Sequence, residues 1–184
     1  MDLTGKLLIA MPGMGDRRFE HSVVFLCSHD DSGALGLIVN KPASDVKLSD
    51  LLEQLAIGPK GAGRDRPVHF GGPVEGARGF VLHTPGETPR AHSMVVGGDF
   101  AMTSTLDVLE DIAAGRGPGR ALMMLGYAGW GPGQLESEIA MNGWLTAEAD
   151  AGLVYDTPDE AKWAAALRSI GVEPLSLSSN AGHA

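Results

Sequence analysis

The sequence predicts a single α+β domain, strand-rich and mainly antiparallel, with helices flanking the sheet. Three observations predict it. Short runs of Val, Ile, Leu and Phe recur between Gly, Pro and Asp, as strands do. Glycine makes up 26 of 184 residues, about twice the usual ~7%, and is scattered between those runs, which signals many tight turns. A few amphipathic stretches with start and stop signals supply the helices.

Strand-like runs come first at Leu7 to Met11, Val23 to Ser28 and Leu35 to Asn40. "LSDLLEQLAIG" reads as a short helix with Ser49 or Asp50 as cap and Gly58 beyond its end. "PVHFGGP", "GFVLHT" and "HSMVVGG" supply three more strands. "TSTLDVLEDIAAG" is a helix with Ser104 and Asp107 resembling a capping box and Gly115 as the stop. "RALMMLGYAGW" lacks alternation and reads as a strand buried on both faces. "LGYAGWGPGQLESEI" then turns on glycines into a helix starting near Gly133 or Gln134, and "GLVYD" reads as a last strand. In "TPDEAKWAAALRSIG", Thr157 caps, Pro158 opens the first turn, Glu160 closes the box and Gly171 ends the helix. Its buried stripe is Trp163, Leu167 and Ile170. The domain spans residues 1–175, and 176–184 reads as a frayed tail.

"GALGLIVN" (33–40) and "GARGFVLH" (76–83) share one pattern. It suggests one β-hairpin used twice, with Asn40 and His83 at equivalent strand ends. Chance similarity over small and apolar positions is the competing account.

A net charge of −9 bears on partners. Nucleic-acid binding draws most of its nonspecific affinity from basic side chains on phosphates, so direct DNA binding is disfavoured. The nearest basic cluster, Lys60, Arg64 and Arg66 around Asp65, reads as a solvated loop. Cys27 is the only cysteine and sits in an apolar run, which suits a reducing cytosol and an inert thiol. No signal peptide is evident, and no apolar span approaches the ~20 residues of a membrane helix. The expected setting is the cytoplasm.

The glycine turn at 126–133 lacks the lysine of a phosphate loop, the spacing of a dinucleotide fingerprint and the serine of a hydrolase elbow. Ser44 to Lys47 matches S-x-x-K without its companion motifs. The histidines and Cys27 form no metal-ligand spacing, so no metal or cofactor is expected. On a helix, Glu136 and Glu138 point to different sides, whereas Gln134 and Glu138 share one. His69 and His83 lie in strand runs, where a hydrogen-bonded structural role is the expectation.

"GKLLIAMPGMGDRRFEHSVVFLCSH", "GALGLIVNKP", "HFGGPV", "GFVLH" and "LGYAGWGPGQLESEIAMNGWL" resemble the AlgH/YqgE family of bacterial proteins, across nearly the whole chain. The resemblance implies a bifurcated, barrel-like β-sheet with flanking helices. It brings no established catalytic set, and a transcriptional-regulator label for some members. No second helix follows "TSTLDVLEDIAAGRGPGR" at helix-turn-helix spacing, so that label implies an indirect role through a protein or small-molecule partner. The candidate ligand or partner residues are Asp16, His29, Asn40, His83, Gly126, Tyr127, Gly129, Trp130, Gln134, Glu136 and Glu138. The alternative is a hydrolase or transferase using His29 or His83 as base, with an anion at the helix start.

Overall fold

The computed structural model describes residues 2–58, 66–86, 92–104 and 106–177. Its strands are β1 (Lys6–Ala10), β2 (Val23–Asp30), β3 (Gly33–Ile38), β4 (Pro42–Lys47), β5 (Pro67–Phe70), β6 (Val74–His83), β7 (Ser93–Gly97), β8 (Phe100–Thr103), β9 (Ala121–Trp130) and β10 (Trp144–Glu148). The helices are α1 (Leu48–Gln54), α2 (Leu106–Ala113), α3 (Gln134–Ala140) and α4 (Asp159–Ser169).

Among the described residues these strands form one open, curled sheet in the order β10-β1-β2-β3-β9-β6-β8-β7. All pairs are antiparallel except β5 with β9. The bifurcation lies in β9. Its second half pairs with β3 (Leu35 with Gly129), while its first half pairs with β5 (Val68 with Met123) and β6 (Val81 with Met123). Because β6 takes one edge of β9, β3 and β5 must share the other in succession.

The fork falls at Gly126, whose φ is +74°. A Cβ there would lie 2.3 Å from the Gly72 carbonyl oxygen, and one on Gly72 would lie 2.1 Å from the Tyr127 carbonyl carbon. The two motifs "HFGGPV" and "LGYAGWG" therefore interlock backbone to backbone. Only glycine permits that approach and that dihedral together.

Alternate side chains of the strands enter different cores, as a period of two requires. Leu7, Ile9, Phe25, Leu37, Leu82 and Met124 point to one face, where Leu153, Val154, Ala166 and Leu167 cover them. Leu8, Val24, Leu26 and Ile38 point to the other, under Leu135 and Trp144. Beyond the fork, that second face carries Val68, Val81 and Met123 under α1 and α2. Burial on both faces is why the runs lack alternation.

Several expectations are corrected. "GLVYD" is a π-helical turn, Gly152–Asp156, because Asp150 accepts the Leu153 amide at 2.9 Å and Leu153 and Val154 drop into the core. Lys47, with no side-chain cap bond, precedes α1 in place of Ser49 or Asp50. Thr157 donates to the Gly152 carbonyl at 3.2 Å instead of capping, and Pro158 is the cap residue of α4. Ile170 is 37% exposed, and Lys162 with Ala166 completes the buried face instead. The echoed segments β3 and β6 both flank β9, but β6 makes no hairpin with β5. Lys60, Arg64 and Asp65, the residue preceding α2, and the tail beyond 177 lie outside the described residues.

Candidate functional site

Beyond the fork, β9 ends in Trp130 and the chain turns through Gly131 and Gly133 into α3. The Gly131 amide donates to Gln134 Oε1 at 3.0 Å, which ties the turn to the helix it starts. Gln134 Nε2 then donates to Glu138 Oε1 at 2.9 Å, the contact that four-residue spacing on one helix side provides. The other oxygen of Glu138, Oε2, accepts the indole N–H of Trp130 at 2.9 Å and of Trp144 at 2.8 Å. One carboxylate thus orients two indoles from neighbouring segments. The rings meet edge to face at 5.9 Å, and Phe19 closes on Trp144 at 5.6 Å.

Against this cluster lies a groove of about 940 Å³. Met11, Met14, Phe19, Pro73 and Met141 form its apolar walls; Asp16, Gly129, Trp130, Gln134 and Glu138 form the rest of the rim that sequence reasoning had singled out. Asp16 is already engaged there. It accepts the Arg18 amide at 3.0 Å, capping a short 3₁₀ turn, and pairs with the Arg18 guanidinium at 2.7 Å. The Arg18 side chain, foremost, holds the Asp16 carboxyl below the usual carboxylate range.

Glu136 faces away from the groove. Its Oε1 lies 2.8 Å from His29 Nε2, and the Leu3 amide donates to His29 Nδ1 at 3.2 Å. Because Nδ1 accepts, Nε2 carries the proton and donates to Glu136. Glu136's own backbone N–H, and then His29, hold its carboxyl below the usual range. That carboxylate therefore occupies the start of α3, where the hydrolase or transferase alternative places an anion. The Gln134 and Ser137 amides are bonded to Gly131 and Gly133 carbonyls.

The remaining candidates lie elsewhere. Asn40 accepts the Val23 amide at 2.9 Å and donates to the His21 carbonyl at 2.8 Å, fastening β2 to the end of β3. His83 sits at the far end of β6, with Nδ1 2.9 Å from the Thr84 carbonyl and Nε2 2.7 Å from Thr103 Oγ1. Tyr127 packs edge to face on Phe80 at 5.9 Å, and Gly126 is the fork itself. Asn40 lines a cleft with Glu20, Lys41, Asp159 and Trp163, separate from the groove at α3.

Sequence reasoning missed the methionine walls and Trp144, which no pattern marks as groove residues. It also missed a buried cluster under α4. Lys162, 1% exposed, donates to the Val39 carbonyl at 2.8 Å and to Asp159 Oδ1 at 2.9 Å. Asp159 Oδ2 lies 2.8 Å from His69 Nε2. The chain positions involved, 69 and 159–162, carry no shared spacing that could announce this contact. Among the described residues no group of three or more His, Cys, Asp or Glu is placed to hold a metal ion.

The family model described as AlgH-like matches residues 7–175. A UPF0301 protein of Ruegeria pomeroyi is 62% identical, covering all of both chains. One from a Jannaschia species is 59% identical over all of this chain and 96% of its own. The solution structure of the AlgH protein of Pseudomonas aeruginosa superposes with a TM-score of 0.81 at 41% identity, covering 100% of this chain and 97% of that one. The crystal structure of DIP2367 from Corynebacterium diphtheriae, at 20% identity and TM-score 0.74, covers 95% and 90% and shares the fold.

Proposed function

The chain belongs to the AlgH-like family, and on that premise we propose that it is a binding protein. It takes a small molecule or a segment of a protein partner in the groove between the 11–19 loop and α3. The observation that carries this reading is the groove itself. Its volume, about 940 Å³, lies at the upper end of the ~300–1,000 Å³ typical of ligand sites. Its walls combine adaptable methionines with the polar pair Gln134 and Glu138, which the turn and the two indoles behind it hold in place, a pairing of plastic and fixed surface suited to recognition.

A regulatory role, on this reading, is indirect. The net charge of −9 opposes operator DNA, whose binding depends on basic contacts to phosphate. The cytoplasm is the proposed setting; among the described residues no helix is long and apolar enough to cross a membrane. The hydrolase or transferase alternative finds both nitrogens of His29 and of His83 already bonded, and Glu136 at the place intended for its anion.

The test is a ligand and partner screen of the wild type against Gln134→Ala/Met141→Asp. Met141 is 71% exposed, so the charge enters the groove without cost to the core. Interactions lost in the variant at unchanged melting temperature support the reading. Interactions retained in full overturn it.

A further inference from the structure

On the second half of the sheet, Gly79 and Val81 of β6 lie on one face by the period of two, and Ala77, within the stretch where the register of β6 against β9 shifts, lines the same cavity. Val81 is covered by the α1 and α2 layer and is 2% exposed. Ala77 and Gly79 are not covered. They floor a cavity of about 250 Å³ together with Met123 and Leu125 of β9. Its walls are Leu51 and Leu55 from α1 and its end, and Leu106 and Leu109 from α2. Thr103 and Ser104 give it one polar end. Leu55 and Leu106 are 41% and 48% exposed, so the cavity opens to solvent between α1 and α2.

Gly79 has an instructive counterpart. In the echoed segments it corresponds to Gly36 on the other side of β9. A Cβ on Gly36 would lie 2.6 Å from Val24 Cγ1 and 3.3 Å from the Trp130 ring, so packing requires the glycine. A Cβ on Gly79 would meet no described atom within 4 Å, and Gly79 does not have the positive φ that would explain a glycine. The register of β6 against β9 shifts between Val74 and Gly79, so the glycine stands at a bulge, and the missing side chain leaves the floor of the cavity open.

We propose that this cavity is a second binding site, for a small apolar group: an aromatic ring or a short alkyl chain. The lining sets the chemistry: hydrocarbon predominates on the floor and walls, Gln54 adds one amide on the α1 side, Ser104 offers a hydroxyl at one end, and the Thr103 hydroxyl beside it is already bonded to His83 and Ser93. The size sets the scale. An apolar cavity of ~150 Å³ accepts benzene, so this one accommodates more than a single six-membered ring. The site lies on α1, α2 and the first half of β9, apart from the groove at α3.

The test is titration of the ¹⁵N-labelled full chain with indole and, separately, decanoate, followed by amide shifts. Saturable shifts centred on Gly79, Thr103 and Leu125 are expected with at least one probe; indole alone identifies a ring site, decanoate alone a chain site. Gly79→Val fills the floor and is expected to weaken that binding at least tenfold, with melting unchanged or raised. No saturable shifts in the wild type, shifts confined to the α3 groove, or wild-type affinity in a folded Gly79→Val overturns the proposal. Should that variant not fold, Gly79→Ala, with one methyl in the same space, is expected to give a smaller loss, and its retention of full affinity has the same overturning force.

Discussion

Trp130 and Trp144 donate their indole N–H groups to the same oxygen of Glu138, at 2.9 and 2.8 Å, although one tryptophan ends β9 and the other begins β10. Both are nearly buried, at 7% and 2% exposure, so neither N–H has water as a ready substitute. Removing the acceptor leaves two buried donors unpaired, at about 1–3 kcal/mol each. Glu138→Ala is therefore expected to cost about 2–4 kcal/mol in denaturant unfolding and to change the tryptophan emission. Glu138→Gln, which keeps an acceptor oxygen, is expected to lose less than half of that.

Gly126→Ala is expected to be among the most damaging single-methyl changes in the chain. The methyl meets the Gly72 carbonyl at 2.3 Å and the dihedral is left-handed. Gly133 has a similar φ of +70° with nothing within 4 Å of its Cβ position. Gly133→Ala thus isolates the dihedral cost, about 1–2 kcal/mol. A loss for Gly126→Ala at least twice that of Gly133→Ala, by thermal or urea melts, is the expected outcome.

Under α4, burial works against ionisation of Asp159, but hydrogen bonds from His69 and Lys162 outweigh it and hold the carboxyl below its ordinary 3.8. A depressed folded-state pKa stabilises above the unfolded value and loses that contribution as pH falls through the folded one. Stability measured from pH 5 downward is expected to fall less steeply in Asp159→Asn than in the wild type. An unchanged acid limb would remove Asp159 as a contributor.

Lys162→Met keeps the length of the buried stem and deletes its charge. It leaves the Val39 carbonyl and Asp159 Oδ1 without their shared donor. Breaking a buried ion pair from one side costs up to ~3–5 kcal/mol; Asp159 keeps His69 and some solvent, so about 2–3 kcal/mol is expected by urea unfolding.

Burial pushes the Cys27 thiol up to about 12. At pH 8 the native protein is expected to react with a thiol reagent only as fast as it opens, with full reaction in denaturant.

The strands whose two faces are both buried were legible as unbroken apolar runs: Leu7 to Ala10, Val23 to Cys27 and Leu122 to Leu125. β4 was not, because Pro42–Lys47 is largely exposed and polar, and β8 and β10 are short and lack a run of their own. "GLVYD" has strand composition, yet the Asp150 carboxylate and the core beneath bend it into a helical turn; composition cannot register that override. At the groove, the Gln134–Glu138 pairing follows from helix spacing. The approach of Phe19 and Met14 to Met141 depends on the paths of two separate segments, which no local pattern encodes.

The pairing of β1 with β10 sets a timetable for synthesis. Lys6 to Ala10 leave the ribosome before both of their neighbours, and one of these, Trp144 to Glu148, emerges some 135 residues later. β3 likewise waits for the second half of β9. Partners so distant in sequence slow folding, and until they arrive the β2–β3 hairpin presents an apolar edge to the cell. Nascent chains truncated before Trp144 are accordingly the form of this protein most in need of a chaperone.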